Sequence, residues 1–208
     1  MNRKYDIDLL YEDLMKMSIF CENAIACAAI SLFESDRSLV DKVRELEIGI
    51  NNIEAVIDNR CNELIKYGEL DDSRMKSVIA AQNMVSEMER VGDRALDIAE
   101  MSLKYTNGTR ALKRVPLEEM AESVVSMFND SVDAFVETDV NTAKFAIDRY
   151  DKINQTYYDI RKISADNIKN QSMHEEIIFN TLIIAKYFDH IGDRAGNIAK
   201  QVIYSIEG

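Results

Sequence analysis

Three carboxylates recur every fourth residue in the segment ERVGDRALDIAE, residues 89–100: Glu89, Asp93 and Asp97. On an α-helix this spacing places them in one nearly axial row. Like charges at this spacing repel by about 0.2–0.5 kcal/mol per pair, so a row without an intervening base favours a bound cation. Oxygen ligands select hard or borderline ions such as Mg²⁺, Ca²⁺, Mn²⁺ or iron.

The acidic segment has a second copy. DHIGDRAGNIAK, residues 189–200, aligns without gaps at an offset of 100 residues, with six identities in twelve positions. Such a match rarely arises by chance, so the chain contains an internal repeat. The second row reads Asp189, Asp193 and Asn197, which is weaker than the first by one charge.

The preceding helix of each repeat offers polar side chains that could face these rows and share a metal. In the first half they are Glu47, Asn51 and Glu54, and in the second half we expect Asp148, Asp151 and Gln155 at a similar place.

A glycine, Gly92 or Gly192, stands before the central aspartate of each row. Glycine costs about 1 kcal/mol in a helix interior, so something must offset it. Close approach of a neighbouring helix would explain the glycine, and so would room for an ion beside the backbone.

A plainer interpretation is that these acids are ordinary solvated surface, because the chain has 37 acidic residues and most acidic pairs on helices are exposed. Arg94 and Arg194 could also neutralise them. The two histidines, His174 and His190, are isolated in sequence, as surface histidines usually are.

Apolar residues recur in alternating steps of four and three, the rhythm of helices packed in a bundle. One proline and seven glycines argue against a sheet of many tight turns. We predict an all-α fold of six long antiparallel helices in two tandem three-helix bundles. The predicted helices span about 4–34, 35–68, 72–104, 117–137, 139–170 and 173–206.

Between the halves, YTNGTRALKRVP breaks the helical rhythm. We therefore predict a first repeat over 1–107, a linker over 108–115 and a second repeat over 116–208.

A net charge of −12 disfavours nucleic acid as a partner. We find no signal peptide and no uninterrupted apolar span, which predicts a cytoplasmic protein. The cysteines Cys21, Cys27 and Cys61 form no CxxC pair, and we expect them to be reduced core residues.

At the doubled motif, ERVGD with DIAE and DHIGD with NIAK, the chain resembles the PhoU family. The opening YDIDLLYEDLMKMSIFCENAIACAAISLFESD and the end NTLIIAKYFDHIGDRAGNIAKQVIYSIEG are also similar to that family, so the resemblance covers essentially the whole chain. The chain departs from the family pattern in three places. ELDDSRMKSVIAA replaces the family's PxAxDLR segment, Asn51 and Gln155 replace acids, and Lys200 replaces the final acid of the second motif.

This resemblance implies iron or zinc clusters on the bundle surface, and the oxygen ligands by themselves also suit Mg²⁺ or Mn²⁺. The implied ligand positions are Glu89, Asp93, Asp189 and Asp193, with Glu47, Asn51 and Asp151 on the neighbouring helices. The departures favour the first repeat as the fuller site.

The resemblance also implies a cytoplasmic negative regulator of phosphate signalling, usually a homodimer. Its implied partners are the ATPase subunit of a phosphate ABC transporter and a sensor histidine kinase, through which alone it would reach the membrane.

We expect a non-enzymatic adaptor, because the sequence has no nucleophile and base pair and no phosphate-binding glycine loop. The alternatives are a redox or metal-handling helical metalloprotein, which would normally use Glu-x-x-His pairs, and a purely structural bundle.

Overall fold

The computed structural model describes residues 7–34, 36–104 and 112–207. These residues form six long helices and contain no strand. The predicted all-α fold is confirmed, and the helix ends agree with prediction to within a few residues. The predicted start near residue 4 and the first half of the predicted linker, 108–111, lie outside the described residues. The helices are α1 Ile7–Glu34, α2 Arg37–Tyr67, α3 Asp72–Ser102, α4 Leu117–Glu137, α5 Val140–Lys169 and α6 Glu175–Glu207.

Aspartates cap the N-termini of three of these helices. Asp36 accepts a hydrogen bond from the backbone N–H of Ser38, and Asp139 accepts one from Asn141. Asp71 does the same for the N–H of Arg74 at 2.8 Å. Each bond satisfies a helix N-terminal N–H that has no partner within its own helix.

The two repeats share one core. α3 packs against α1 and α2, α6 packs against α4 and α5, and α3 and α6 pack along each other. A single buried apolar cluster draws residues from all six helices. The sequence repeat is therefore a structural repeat, but its two halves are not separately packed bodies.

The predicted apolar faces are those that the structure buries. On α3 the buried residues include Ala81, Met84, Met88, Val91, Ala95 and Ile98. On α6 they include Thr181, Ile184, Phe188, Ile191, Ala195, Ile198 and Val202; Ile177, one step earlier in the same rhythm, is only partly buried. Cys21 and Cys61 are buried, and Cys27 is half-buried.

Helix α1 is, among the described helices, the one long and apolar enough to cross a membrane by length and composition. A core helix of a soluble protein passes the same test. One face of α1, including Leu10, Met17 and Ala24, is buried against the other helices. The predicted absence of a membrane span stays a prediction.

Helices α2 and α5 correspond at an offset of 103 residues, three more than α3 and α6. Their N-caps, Asp36 and Asp139, are 103 residues apart. Ile50 and Ile153 show the same offset, since each contacts the glycine of its own repeat. Further buried pairs follow it: Val40 with Ala143, Val43 with Ala146, and Ile57 with Ile160.

Both motif glycines are explained by close helix approach. A Cβ on Gly92 would lie 2.8 Å from Ile50 Cδ1, and a Cβ on Gly192 would lie 3.2 Å from Ile153 Cδ1 and 3.4 Å from Tyr150 Cδ2. The missing side chain lets α2 and α5 lie close to α3 and α6, which offsets the helix cost of glycine.

We predict that Gly92→Leu lowers the free energy of unfolding by about 1–3 kcal/mol, because the added side chain overpacks a tight helix contact. Urea unfolding followed by circular dichroism measures this change. Gly92→Ala is the control and should cost less, since the terminal methyl of Ile50 can rotate away and alanine favours the helix. A Leu variant as stable as the parent would contradict the close-approach explanation.

Candidate metal-binding face

The facing sides of α2 and α3 carry four carboxylates, Glu47, Glu54, Glu89 and Asp93, which we call the first acidic face. Burial raises the pKa of Glu89, and the negative charges of Asp93, Glu54 and Glu47 raise it further, against the opposing effect of Arg90. Burial also raises the pKa of Glu54, helped by the charges of Asp58 and Asp93. These carboxylates are therefore close enough to repel one another across the two helices.

Little positive charge compensates this face. Among the described residues, Glu54, Glu89 and Asp93 form no ion pair within 4.0 Å. The one cation beside Glu89 in sequence, Arg90, reaches Glu87 at 4.0 Å instead. Glu47 accepts a hydrogen bond of 2.6 Å from the amide of Asn51, which adds no charge.

Asp97, the third acid of the predicted row, belongs to a different environment. Its carboxylate pairs with the guanidinium of Arg94 on the same helix. Arg94 in turn lies 5.5 Å from the centre of the Tyr187 ring on α6. Asp97 is thus neutralised at the junction between the repeats.

That junction also contains an ion pair that sequence reasoning missed. Arg194 Nη1 lies 3.2 Å from Glu87 Oε2, and the amide of Asn197 donates to the same oxygen at 3.4 Å. Glu87 and Tyr187 are 100 residues apart and so occupy equivalent positions in the two repeats. The motif arginine of each repeat therefore contacts this position in the other repeat, Arg194 at Glu87 and Arg94 at Tyr187. No local pattern indicates this pairing, since it crosses between α3 and α6.

In the second repeat the acids are already paired. Asp189 is 4% exposed and accepts a hydrogen bond of 3.1 Å from the Tyr150 hydroxyl. Its other oxygen lies 2.7 Å from Lys186 Nζ. Asp193 lies 3.8 Å from the Arg194 guanidinium. The hydrogen bond to Asp189 raises the pKa of Lys186, and burial followed by the charge of Asp189 raises the pKa of Tyr150.

The sequence prediction for the facing helix of this repeat is wrong in register. The offset of 103 places Tyr150 and Asn154 opposite the motif where Glu47 and Asn51 stand in the first repeat. Asp151 and Gln155 are exposed. Asp151 corresponds instead to Ile48, which is 58% exposed. Aligning the N-capping aspartates, rather than the nearest acids, would have found Tyr150.

The predicted metal can be tested against these donors. In the part of the chain that the structure describes, no three His, Cys, Asp or Glu side chains lie close enough as placed to hold an ion. The first acidic face nevertheless fits a cation by its chemistry, because it holds several uncompensated carboxylates. The second repeat does not fit one, because lysine, arginine and tyrosine already occupy its carboxylates.

The fold and this face define a class: a tandem three-helix repeat protein with an acidic motif at a glycine-mediated helix contact. The sequence model of the PhoU domain matches residues 14–102 and again residues 117–202. The chain therefore belongs to the PhoU family, and the resemblance found in the sequence is confirmed.

Curated relatives match over nearly the full length. The phosphate-specific transport system accessory protein PhoU of Edwardsiella tarda is 26% identical over 203 residues, covering 98% of this chain and 84% of the relative. A PhoU homolog of Clostridium acetobutylicum is 26% identical over 98% of this chain and 93% of its own. The crystal structure of PhoU from Pseudomonas aeruginosa superposes with a TM-score of 0.87 at 22% identity, covering 97% of both chains. This last likeness shows the fold.

We predict that Glu89→Gln stabilises the metal-free protein at pH 7 by about 0.2–0.5 kcal/mol for each like-charge pair it removes. The pKa of Glu89 is raised in the folded state, so folding binds a proton between pH 4.5 and that higher pKa, and stability falls as pH rises through this window. The gain should therefore disappear well below pH 4.5.

Thermal unfolding in a chelator at pH 7 and pH 3.5 measures the effect. Glu45→Gln is the control, because exposed Glu45 pairs with Lys42 at 3.3 Å and its loss should bring no gain. Equal or lower stability of Glu89→Gln at pH 7 would show that the first acidic face carries no net repulsion.

Proposed function

We propose that this protein is a cytoplasmic, non-enzymatic negative regulator of phosphate uptake and phosphate-starvation signalling. In this role it links the ATPase subunit of a phosphate ABC transporter to a sensor histidine kinase. The observation that carries the proposal is the doubled PhoU domain, together with relatives named as accessory proteins of a phosphate-specific transport system that align to 98% of the chain.

The surface suits contact with other proteins. The net charge of −12 favours basic protein patches and disfavours nucleic acid. Several large apolar side chains are more than half exposed, as is common at binding surfaces; they include Ile48, Tyr67, Phe145, Tyr158 and Phe179. We propose that such surfaces form a homodimer and dock the transporter and kinase, so that the protein meets the membrane only through these partners.

We further propose that the first repeat binds iron or zinc, with Mg²⁺ or Mn²⁺ as alternatives. Glu47, Glu54, Glu89 and Asp93 would hold the ion. When bound, the metal supplies positive charge between α2 and α3. The repulsion among these carboxylates supports this assignment, because it adds to burial in raising the pKa of Glu89 and a cation would relieve it.

We predict that the purified chain binds the transporter ATPase subunit in a salt-dependent manner. Because the surface is acidic, affinity should fall several-fold when salt is raised from about 50 to about 300 mM. Surface plasmon resonance with the ATPase subunit, and separately with the cytoplasmic part of the kinase, measures it. Failure to bind either protein at low salt would overturn the adaptor proposal.

We predict that protein purified without chelator contains metal that depends on the first acidic face. Elemental analysis should find it in the parent chain and find most of it lost in Glu89→Gln/Asp93→Asn. The matched control is Asp148→Asn/Asp151→Asn, which removes two exposed carboxylates from α5 and should leave the metal content unchanged. Equal metal in all three proteins would place it elsewhere.

A further inference from the structure

We propose that the second repeat carries its own cation: the ammonium group of Lys186 takes, between α5 and α6, the role that a metal ion takes in the first repeat. The chain would then bind metal in the first repeat alone. This inference rests on the proposed metal site of the first repeat, and the experiment below separates the two.

A comparison of equivalent positions shows the exchange of charge. The first repeat places Glu47, Glu54 and Asp58 on α2, and Ser86 precedes its motif by three residues. The second repeat replaces each one, with Tyr150 for Glu47, Tyr157 for Glu54, Arg161 for Asp58 and Lys186 for Ser86.

The motif acids themselves change little between repeats, since Glu89 and Asp93 become Asp189 and Asp193. The first repeat therefore sets five carboxylates at this helix contact and no base at these positions. The second sets two carboxylates and two bases. The residues around the motif, rather than the motif itself, therefore decide whether a cation from solution is needed to balance the negative charge.

In the second repeat, the residues that replace the acids of the first repeat contact Asp189 or one another. Both oxygens of the buried Asp189 carboxylate are in use, one by the Tyr150 hydroxyl at 3.1 Å and one by Lys186 Nζ at 2.7 Å. The ammonium of Lys186 also lies 5.2 Å from the centre of the Tyr157 ring, within cation–π range. The cluster joins a tyrosine pair on α5 to a lysine and an aspartate on α6.

A metal ion would have to displace this lysine. The Asp189 oxygen that now lies 2.7 Å from the ammonium would lose this partner, and the ammonium would remain nearby as a like charge. Tyr150 and Tyr157 also present no carboxylate to a metal. The second repeat thus has its positive charge fixed in sequence, and any response to metal is confined to the first.

The test transplants the surroundings of the first repeat into the second. The background is Glu89→Gln/Asp93→Asn, which disables the first acidic face, and Mn²⁺ is the probe. In this background we expect no bound Mn²⁺ by electron paramagnetic resonance and a Tm that changes by less than about 1 °C with Mn²⁺. Adding Lys186→Ser, Tyr150→Glu and Tyr157→Glu should create one Mn²⁺ site per chain and a Tm that rises by several degrees with Mn²⁺.

Two outcomes overturn the inference: Mn²⁺ bound by the background and lost on Asp189→Asn, or a converted chain that is helical by circular dichroism and takes no Mn²⁺. If the conversion abolishes folding, Lys186→Ser alone in the same background replaces it, with Mn²⁺ expected to raise its Tm and an unchanged Tm counting against the inference.

The reverse substitution, Ser86→Lys in the parent chain, places an ammonium three residues before Glu89 and should weaken Mn²⁺ binding at least tenfold. Undiminished binding would overturn the inference. If the parent binds no metal while the converted second repeat does, the proposed first site fails and the role of Lys186 stands.

Discussion

The close contact of each motif helix with its neighbour, made possible by Gly92 and Gly192, is the constraint on which the rest of this structure depends. At these glycines the backbones of α2 and α3, and of α5 and α6, approach until an isoleucine side chain fills the space of a missing Cβ. Polar residues on either side of the contact are therefore held opposite each other. Their charges interact more than they would in open water, because water is partly excluded.

The two repeats resolve this constraint in different ways. In the first, facing carboxylates leave negative charge uncompensated, and this charge adds to burial in raising the pKa of Glu89. In the second, Lys186 neutralises the buried Asp189, whose other oxygen accepts a hydrogen bond from the Tyr150 hydroxyl. One fold thus holds one helix contact that is open to an added cation and one that is already neutral.

The repeats are nevertheless bound into one body. α3 and α6 lie against each other in a common core, and the motif arginines cross between repeats, Arg194 to Glu87 and Arg94 to Tyr187. A charge change at the first acidic face is therefore only one turn of α3 from the junction, because Asp97, which pairs with Arg94, follows Asp93 by four residues. This proximity offers a physical route by which one repeat can influence the other.

The sequence alone determined the six helices, their ends, their buried faces and the repeat, because these follow from apolar periodicity, capping residues and the doubled motif. It also located the acidic rows. Only the tertiary structure decided which residues oppose them. The repeat offset is 103 residues between α2 and α5 but 100 residues between α3 and α6, and an error of one residue in this offset puts Asp151 where Tyr150 lies. It also decided that Asp97 and Asp189 are neutralised, since Arg94, Lys186 and Tyr150 reach them through side-chain conformations and helix contacts that spacing does not specify.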